Sequence, residues 1–311
     1  MGKIDKTVKY ICFKPQVIFT YIWLHLSPLL PVKLYISVMY RLRRGYWMDF
    51  KNPVKFNEKL QWLKLHDHKS QYIKMVDKYE AKKYVAEIIG DEYIIPTIGV
   101  WDSVDDIDFN SLPDQFVLKC THDSGGLVIC KDKKLLNFEE AKQKIKKSMA
   151  SNYYNVGKEW PYKYVKRRII AEQYVAVDNH DLTDYKFYCF GGEPKYCQVI
   201  NDRSTKETID FFDTEWNHQE FVGLNTKAGN AEHIPERPMN LKLMLKLASS
   251  LSEGISFSRI DLYEIGRKCY FGEITFFPAS GFGKFTPEEF DDYLGSLVHL
   301  TNYNNSRKGT I

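Results

Sequence analysis

Two strand-like runs near the C-terminus each carry one acidic residue in their middle. Because the short link between them, Glu264–Lys268, contains a glycine, the runs are predicted to form an antiparallel hairpin. With a loop of odd length, Asp261 and Glu273 would lie opposite each other on one face of the sheet. The runs are Phe257-Ser-Arg-Ile-Asp-Leu-Tyr263 and Phe271-Gly-Glu-Ile-Thr-Phe-Phe-Pro-Ala-Ser-Gly281.

Opposed carboxylates on one sheet face repel each other unless a cation lies between them. Mg²⁺ is commonly bound by one or two protein carboxylates together with the phosphates of a substrate. The hairpin therefore indicates a magnesium site built from Asp261 and Glu273. The alternative is a pair of solvated acids on an exposed sheet face, and residues upstream are needed to decide between the two.

Composition limits the classes of partner. The chain of 311 residues is long enough for a large core in one to three lobes. Its formal net charge of +4 is too small to indicate nucleic-acid binding. This mild basicity suits an anionic small molecule or glycan, so we predict no nucleic-acid partner.

The cysteine pattern bears on the cellular compartment. The six cysteines include no C-x-x-C pair and no His or Cys at metal-ligand spacing. This pattern predicts a reduced, cytoplasmic protein without a structural zinc or a disulfide framework.

The N-terminal segment Pro15–Tyr40 is apolar but repeatedly interrupted by polar residues and prolines. It contains no run of roughly 18 to 20 apolar residues that could span a bilayer, and it lacks a secretory cleavage pattern. The basic cluster Arg41-Leu-Arg-Arg44 follows, beside Tyr46 and Trp47. Two interpretations stay open: the segment rests peripherally on the inner membrane surface, or it packs on the protein's own core with solvated arginines.

The order of helix-like and strand-like segments in the rest of the sequence predicts a mixed α+β protein with several antiparallel hairpins. Asn57 is a candidate N-cap. The predicted helices are one near Leu60–Leu65 and others at Lys69–Ile89, Phe138–Met149, Leu241–Leu251 and Pro287–Leu300, and the predicted strands include Phe116–Cys120, Leu127–Cys130, Ile169–Val175 and Asp184–Phe190.

A small polar loop, Thr121-His-Asp-Ser-Gly-Gly126, joins two of these strands. Its backbone N–H groups could close over phosphates, and Lys119 lies just before it. The loop is neither a Walker A loop nor a Rossmann fingerprint. An ordinary hairpin remains the alternative for this element alone.

Taken together, these segments resemble the ATP-grasp proteins of the teichuronopeptide-biosynthesis (TupA-like) group. The resemblance extends from about Asn52 to Gly283. The segments that carry it are Asn52-Pro-Val-Lys-Phe-Asn-Glu-Lys59, Asp77-Lys-Tyr79, Val117-Leu-Lys119 with its glycine loop, Asp184-Tyr-Lys-Phe187 and the two C-terminal motifs.

This resemblance implies an ATP-grasp fold, in which two α+β lobes clamp ATP between antiparallel sheets. It also implies a division into a helical N-terminal segment (residues 1–76), a first lobe with the lid (77–176) and a core lobe with the magnesium site (177–311). Many relatives begin with a full α/β domain, which the helical N-terminal pattern of this chain does not suggest.

The resemblance also implies a role for each matching residue. Lys78 and Lys119 would hold the ATP phosphates, and Lys119 and Arg259 would neutralise charge during the reaction. Magnesium would bind Asp261 and Glu273, with Thr275 at a position where relatives often have asparagine. The other implied contacts are the lid (Thr121, His122, Ser124, Gly125, Gly126), the adenine edge (Glu172, Gln173, Val175), the ribose and nearby nucleotide (Asp184 or the alternative Asp178, and Lys186) and the acceptor (Ser280, Gly281).

Two of the candidate residues keep an alternative interpretation. Arg203 could reach substrate phosphates or be a solvated residue at a strand end. His122 could touch the γ-phosphate or face water.

The function implied by the resemblance is an ATP- and Mg²⁺-dependent ligase that joins a carboxylate to an amine through an acyl phosphate. The carboxylate would belong to a uronic acid of a surface glycan or sugar nucleotide, and the amine to an amino acid or amino alcohol, in capsule or cell-surface polysaccharide synthesis. One alternative is a glycosyltransferase, for which Asp106-Ile-Asp108 has acid-x-acid spacing. The other is a kinase that uses the same cleft on a hydroxyl group.

Overall fold

The structure is a computed structural model that describes residues 15–175, 182–201, 205–224 and 228–300. It confirms the mixed α+β class, with helices packed on antiparallel sheets. The helices are α1 Pro15–Leu26, α2 Val32–Arg44, α3 Phe56–His66, α4 Gln71–Val76, α5 Glu80–Ile89, α6 Phe138–Ala150, α7 Tyr154–Gly157, α8 Leu241–Ser252 and α9 Glu289–Leu297. The strands are β1 Thr97–Trp101, β2 Phe116–Cys120, β3 Leu127–Cys130, β4 Ile169–Gln173, β5 Asp184–Phe190, β6 Glu193–Asn201, β7 Thr208–Asp213, β8 His218–Gln219, β9 Val222–Gly223, β10 Phe257–Ile265, β11 Lys268–Thr275 and β12 Phe285–Thr286.

The first sheet has the strand order β1-β4-β2-β3 and is antiparallel throughout. Strand β2 alternates between buried and half-buried positions, so one of its faces packs on a core while the other remains available for a ligand. Helix α6 covers the core face, where Leu118, Ile145 and Ile169 are fully buried. This arrangement leaves the side chain of Lys119 on the opposite face.

The second sheet has the order β11-β10-β5-β6-β7-β8. Every residue of the central strand β5 is buried, as expected for a strand that is covered on both faces. The core on one face contains Phe187, Ile260 and Met244 of α8. The other face carries the polar residues of the predicted nucleotide site.

The predicted β10–β11 hairpin forms, but by a different route from the one expected. Ile265 pairs with Lys268, so the loop has two residues rather than an odd number. The register then shifts between the pairs Leu262–Phe271 and Asp261–Glu273, which places an extra residue, Gly272, in β11. This β-bulge, and not the loop, brings Glu273 opposite Asp261.

Three predicted helix boundaries are wrong. Asn57 does not cap α3, because the helix begins one residue earlier and the Asn57 amide instead donates to Gly283 O and Asp291 Oδ1. The predicted helix Lys69–Ile89 is two helices, since Asp77 has an extended backbone and its carboxylate accepts from the backbone of the next turn. The C-terminal helix is shorter than predicted and spans Glu289–Leu297.

The described part of the N-terminal segment packs on the rest of the protein. Tyr35, Met39 and Tyr40 of α2 are fully buried in a cluster that includes Phe282. Helix α3 contributes Phe56, among other residues, to the core of the second sheet. The division near residues 76 and 176 remains a prediction.

The cysteines within the described ranges, namely Cys120, Cys130, Cys189, Cys197 and Cys269, are buried and free of disulfides. Cys12 lies outside those ranges. Across the described residues, every helix is too short or too polar to cross a bilayer.

Candidate active site

A cleft of about 410 Å³ lies between the two sheets and brings together most of the predicted site. The residues on its walls come from β2, β4, β5, β10 and β11 and from the loop after β2, although they are far apart in the sequence. Those that the sequence predicted are Lys78, Lys119, Ser124, Gly126, Glu172, Asp184, Lys186, Arg259, Asp261 and Glu273.

One wall of the cleft is a row of polar side chains that crosses the second sheet. Gln198 on β6 is paired with Lys186 on β5, which is paired with Asp261 on β10, which is paired with Glu273 on β11. Paired residues in a sheet point to the same face, so the four side chains form a continuous line. The Lys186 ammonium forms an ion pair with Asp261 and lies 3.6 Å from Asp184 Oδ1.

Arg259 lies at the centre of the acidic cluster. Its Nη2 atom is 2.7 Å from Asp261 Oδ2, 2.9 Å from Glu273 Oε1 and 3.1 Å from Thr275 Oγ1. Its Nε atom is 2.7 Å from Asp261 Oδ1, which makes the contact with that carboxylate bidentate. Three oxygen atoms thus converge on one cationic nitrogen.

This convergence fits a hard divalent cation. The ligands would be oxygen atoms only, and two of them are anionic, which is the donor set that magnesium prefers. Within the described residues, no group of three or more His, Cys, Asp or Glu side chains could hold a metal. The two carboxylates and the Thr275 hydroxyl would be a partial ligand set, of the kind that suits an ion also bound by substrate phosphates.

The two carboxylates of the cluster differ in their electrostatic surroundings. Burial raises the pKa of Asp261, although Arg259 and Lys186 oppose this effect. Burial also acts on Glu273, but Arg259, Lys186 and Lys78 lower the pKa of this carboxyl to about 2. The Glu273 side chain is 42% exposed, so it stays ionised and is open to the cleft.

The opposite wall is centred on Glu172 of β4. Its carboxylate forms one ion pair with Lys82, whose Nζ atom is 2.6 Å away, and a second ion pair with Lys119. Lys119 lies diagonally across the ladder, because it is paired with Ile170, two residues before Glu172. Burial favours the neutral acid, but Lys119 and Lys82 lower the pKa of Glu172, so the carboxylate is charged.

Lys78 connects this wall to the loop Thr121–Gly126. Its backbone N–H donates to Thr121 O at 3.1 Å, and its ammonium bonds to the carbonyl oxygen of Asp123. Burial lowers the pKa of Lys78, while Glu273 and Asp123 act in the opposite direction. The ammonium is thus held at the junction of the two sheets and the loop.

The loop is ordered by its own side chains. Asp123 accepts from the N–H of Gly126 and from the hydroxyl of Ser148 on α6. A Cβ atom on Gly126 would lie 2.2 Å from Ser148 Oγ and 2.7 Å from Cys120 Sγ, so only glycine fits there. Ser124 Oγ is 3.4 Å from the hydroxyl of Tyr153 at the mouth of the cleft.

Several predicted nucleotide residues lie off the lining of the cleft. Thr121 is buried and donates to Lys166 O, and His122 is buried behind the loop, where burial lowers its pKa. Gly125 is exposed, and Val175 follows β4. Gln173 faces a separate open hollow that holds none of the predicted phosphate or metal residues. Arg203 and the alternative ribose ligand Asp178 lie outside the described residues.

The predicted acceptor residues form a turn beside the cleft, next to the lining residue Ala279. Ser280 Oγ donates to Glu159 Oε1 at 2.6 Å, and Ser280 O accepts from the ammonium of Lys64. Gly281 O accepts from Gln61 at 2.6 Å. The turn is therefore held from α3 and from the Glu159 loop.

Sequence reasoning missed some polar residues of the site. Lys82 pairs with Glu172, and Asp123, Gln198, Glu207 and Tyr263 line the cleft. Two signals in the sequence could have found some of them. Lys82 follows Lys78 by four residues, which is one helical turn, and Tyr263 is two residues after Asp261, on the same face of the strand.

The acids of the alternative glycosyltransferase motif lie elsewhere. Asp106 and Asp108 are exposed, and Asp108 caps the backbone N–H of Asn110 at 2.9 Å. Neither residue contributes to the cleft. The acid-x-acid spacing is thus accounted for by a local turn.

The model of the TupA-like ATP-grasp family matches residues 58–299. The chain therefore belongs to the TupA-like ATP-grasp family, which confirms the resemblance and the ATP-grasp fold. No curated protein matches the sequence.

Three solved structures illustrate what the chain is similar to. One is a D-alanine–D-alanine ligase from Bacillus anthracis complexed with ATP, which is 16% identical in sequence. The match covers 66% of this chain and 54% of that ligase, with a TM-score of 0.37. The Helicobacter pylori D-alanine–D-alanine ligase has 11% identity, coverage of 73% and 64%, and a TM-score of 0.38. A RimK domain ATP-grasp protein from Sphaerobacter thermophilus has 12% identity, coverage of 74% and 69%, and a TM-score of 0.39. The chain thus spans between about half and two thirds of the length of the two D-alanine–D-alanine ligases.

Proposed function

We propose that this protein is an ATP- and Mg²⁺-dependent ligase that joins a carboxylate to an amine. The observation that carries the proposal is the cleft itself. It sets Lys78, Lys119 and Glu172 on one side against Arg259, Asp261 and the rest of the polar row on the other. Family membership supports ATP as the nucleotide.

The residues of the cleft have distinct roles in this proposal. Asp261 and Glu273 would hold the magnesium ion, with Thr275 as a weaker oxygen ligand at the edge of the cluster. The bound ion would neutralise charge on the phosphates. Lys78 and Lys119 would bind phosphate oxygens, and Arg259 would stabilise the charge that develops on the carboxylate and on the transferred phosphoryl group.

Carboxylate activation explains why the cleft needs no protein nucleophile. In the proposed reaction, a substrate carboxylate oxygen bonds to the γ-phosphorus of ATP, and the bond from that phosphorus to the ADP oxygen breaks. The amine then attacks the acyl carbon, phosphate leaves with the former carboxylate oxygen, and the amine proton passes to solvent. Catalysis therefore comes from positioning and charge neutralisation.

We infer that the carboxylate belongs to a uronic acid, on a surface glycan or a sugar nucleotide, and that the amine is an amino acid or amino alcohol. The resemblance to a family of teichuronopeptide biosynthesis supports this choice, and the mild net positive charge suits an acidic glycan. Such a ligase would act in the cytoplasm, in the synthesis of capsular or other cell-surface polysaccharide.

The first test is ligand-induced stabilisation. The protein is titrated with ATP, UDP-glucose and UDP-glucuronate, each with and without Mg²⁺, while the melting temperature is recorded. A Mg²⁺-dependent shift with ATP is expected, and ADP release should then require both a uronate and an amine. A shift with UDP-sugars but none with ATP would contradict the proposal, and ADP release that needs only a hydroxyl substrate would identify a kinase.

Lys119→Ala sharpens this test, with the exposed Lys166→Ala as the matched control. Loss of a charge-assisted contact to phosphate should weaken ATP binding by about 10- to 100-fold. Lys166 pairs with Asp102 on the surface, so its variant should bind ATP like the wild type. Equal ATP affinity in both variants would remove Lys119 from the phosphate site.

A further inference from the structure

The N-terminal helical hairpin, α1 and α2, leaves apolar side chains exposed on its outer side. One side of α1 packs inward through Trp23 and Leu24. Phe19, Ile22 and Leu26 fall on one side of the helix, because they are three and four residues apart. The exposed set, here called the outer apolar face, is Phe19, Ile22, Leu26, Leu29 and Leu34.

The charge of this part of the chain is strongly one-sided. Residues 15–48 contain four Lys or Arg and no Asp or Glu. Residues 1–48 contain eight Lys or Arg and one acid, a charge of +7, while the whole chain carries +4. The remaining residues therefore carry −3, so the net positive charge lies in the first 48 residues of the sequence. Within the described residues, the exposed Lys33, Arg41 and Arg43 belong to the same hairpin as the outer apolar face.

The structure separates the arginines of this cluster. Arg44 is buried and forms an ion pair with Asp291 at 2.6 Å, so it cannot serve as a surface contact. Arg41 and Arg43 are exposed. Arg41 is seven residues, or about two helical turns, after the exposed Leu34, so both lie on the same side of α2. Apolar and basic side chains thus share one surface.

An apolar face beside a concentration of positive charge is the pattern of a segment that lies in the membrane interface. Helix α1 has 12 residues and is too short to cross a bilayer. The exposed Tyr21 and Trp47 are side chains that favour the interface. A second copy of the chain fits less well, because a two-fold contact through this face would bring two acid-free basic hairpins together.

We propose that the outer apolar face docks this protein on a bilayer that contains anionic phospholipids. Phe19, Ile22 and Leu29 enter the boundary between headgroups and acyl chains, and Arg41 contacts lipid phosphates. The enzyme then acts at the surface of the membrane, with its cleft in the aqueous phase.

The test is co-sedimentation with vesicles of phosphatidylcholine, alone or mixed with phosphatidylglycerol. The 311-residue chain should pellet with the mixed vesicles and far less with phosphatidylcholine alone, and high salt should weaken the binding. Leu29→Glu should lower the affinity by about tenfold or more, since burial of the leucine is lost. Leu135→Glu is the matched control, because Leu29 and Leu135 are both 83% exposed.

Arg41→Glu is a second variant that does not touch the core, and it should weaken binding to the mixed vesicles alone. Melting temperatures within a few degrees of the wild type would show that each variant is folded. The proposal is overturned if the protein does not pellet, if both vesicle types bind it equally, or if Leu29→Glu and Leu135→Glu behave alike. It is also overturned if the protein does not bind vesicles and light scattering instead shows a dimer that the Leu29→Glu substitution dissociates.

Discussion

At the scale of single residues, Arg259 and the predicted magnesium ion need the same oxygen atoms. The guanidinium already contacts Asp261, Glu273 and Thr275. A cation bound by those oxygens would compete with it, because each carboxylate has a limited number of lone pairs. We therefore expect Arg259 to release Glu273 and turn toward the phosphates when ATP and magnesium bind.

Glu273→Gln tests the metal assignment at this scale. The amide keeps the shape and the contact with Arg259 but removes the negative charge. Ligase activity should fall by at least about 100-fold, and Mg²⁺ should no longer strengthen ATP binding in calorimetry.

The fold should survive this change, because the Glu273 side chain is 42% exposed. Glu193→Gln is the control, since that acid pairs with Lys195 on the exposed end of β6. Full activity in Glu273→Gln would show that the metal assignment is wrong.

At the scale of elements, the β-bulge at Gly272 sets the alignment of the two acids. A two-residue loop with Ile265 opposite Lys268 would otherwise place Gly272 opposite Asp261. A Cβ atom at position 272 would lie 3.0 Å from the backbone oxygen of Asp261 and 3.0 Å from the ring of Tyr263. Glycine is therefore favoured where the strands approach closely.

Gly272→Val should crowd this contact and lower the free energy of unfolding by about 1 to 3 kcal/mol. Activity should fall further than stability alone explains, because Glu273 would turn away from Asp261. Chemical denaturation and Mg²⁺ titration measure the two effects. Gly229→Ala is the control, since a Cβ atom there meets nothing within 4 Å. Equal effects of Gly272→Val and Gly229→Ala would contradict the role of the bulge.

The turn Pro278–Gly281 is a second element that depends on distant residues. Ala279 and Ser280 both have positive φ angles, 47° and 53°. The ammonium of Lys64 holds this turn through Ser280 O at 2.6 Å and also donates to Gly157 O at 2.7 Å. Burial lowers the pKa of Lys64 to about 7, although Glu159 opposes the shift.

Lys64 should make stability depend on pH in a defined direction. Its folded pKa is below the unfolded value of about 10.4, so the unfolded state binds more protons between the two values and stability rises with pH there. Between about pH 8 and 10, the free energy of unfolding of the wild type should rise relative to that of Lys64→Met by up to about 1.4 kcal/mol per pH unit. Urea denaturation across this range measures the difference, and Lys166→Met, an exposed control, should show none.

At the scale of the whole molecule, the two ends of the described chain are joined by a buried polar cluster. Arg44 at the end of α2 bonds to Asp291 of α9 at 2.6 Å and to Gly283 O at 2.8 Å. Asp291 also accepts a hydrogen bond from the side-chain amide of Asn57. Helices α2 and α3 are thus joined to the C-terminal part of the described chain by buried polar contacts.

Arg44→Met should leave Asp291 buried without its cation and lower the free energy of unfolding by about 3 kcal/mol. Arg41→Met, at an exposed position of the same helix, should change it by less than about 0.5 kcal/mol. Guanidinium denaturation compares the two variants. A small effect of Arg44→Met would indicate that this buried cluster contributes little to the stability of the fold.

Local patterns gave much of the fold in advance. Alternation and turn residues predicted Phe116–Cys120, Leu127–Cys130 and Asp184–Phe190 with their observed boundaries. The helix Lys69–Ile89 was wrong, because a single carboxylate at Asp77 stops the helix by binding its own backbone. Such competition between a side chain and the backbone is only weakly visible in a residue pattern.

The sequence alone determined the family, the two sheets' main strands and the residue types that a nucleotide and magnesium site requires. Only the tertiary structure decided which of them meet. The row from Gln198 to Glu273, the contact of Lys82 with Glu172 and the burial of Arg44 each join residues distant in the chain. Such pairings follow from how strands align and helices pack, and these depend on the whole core rather than on any local segment.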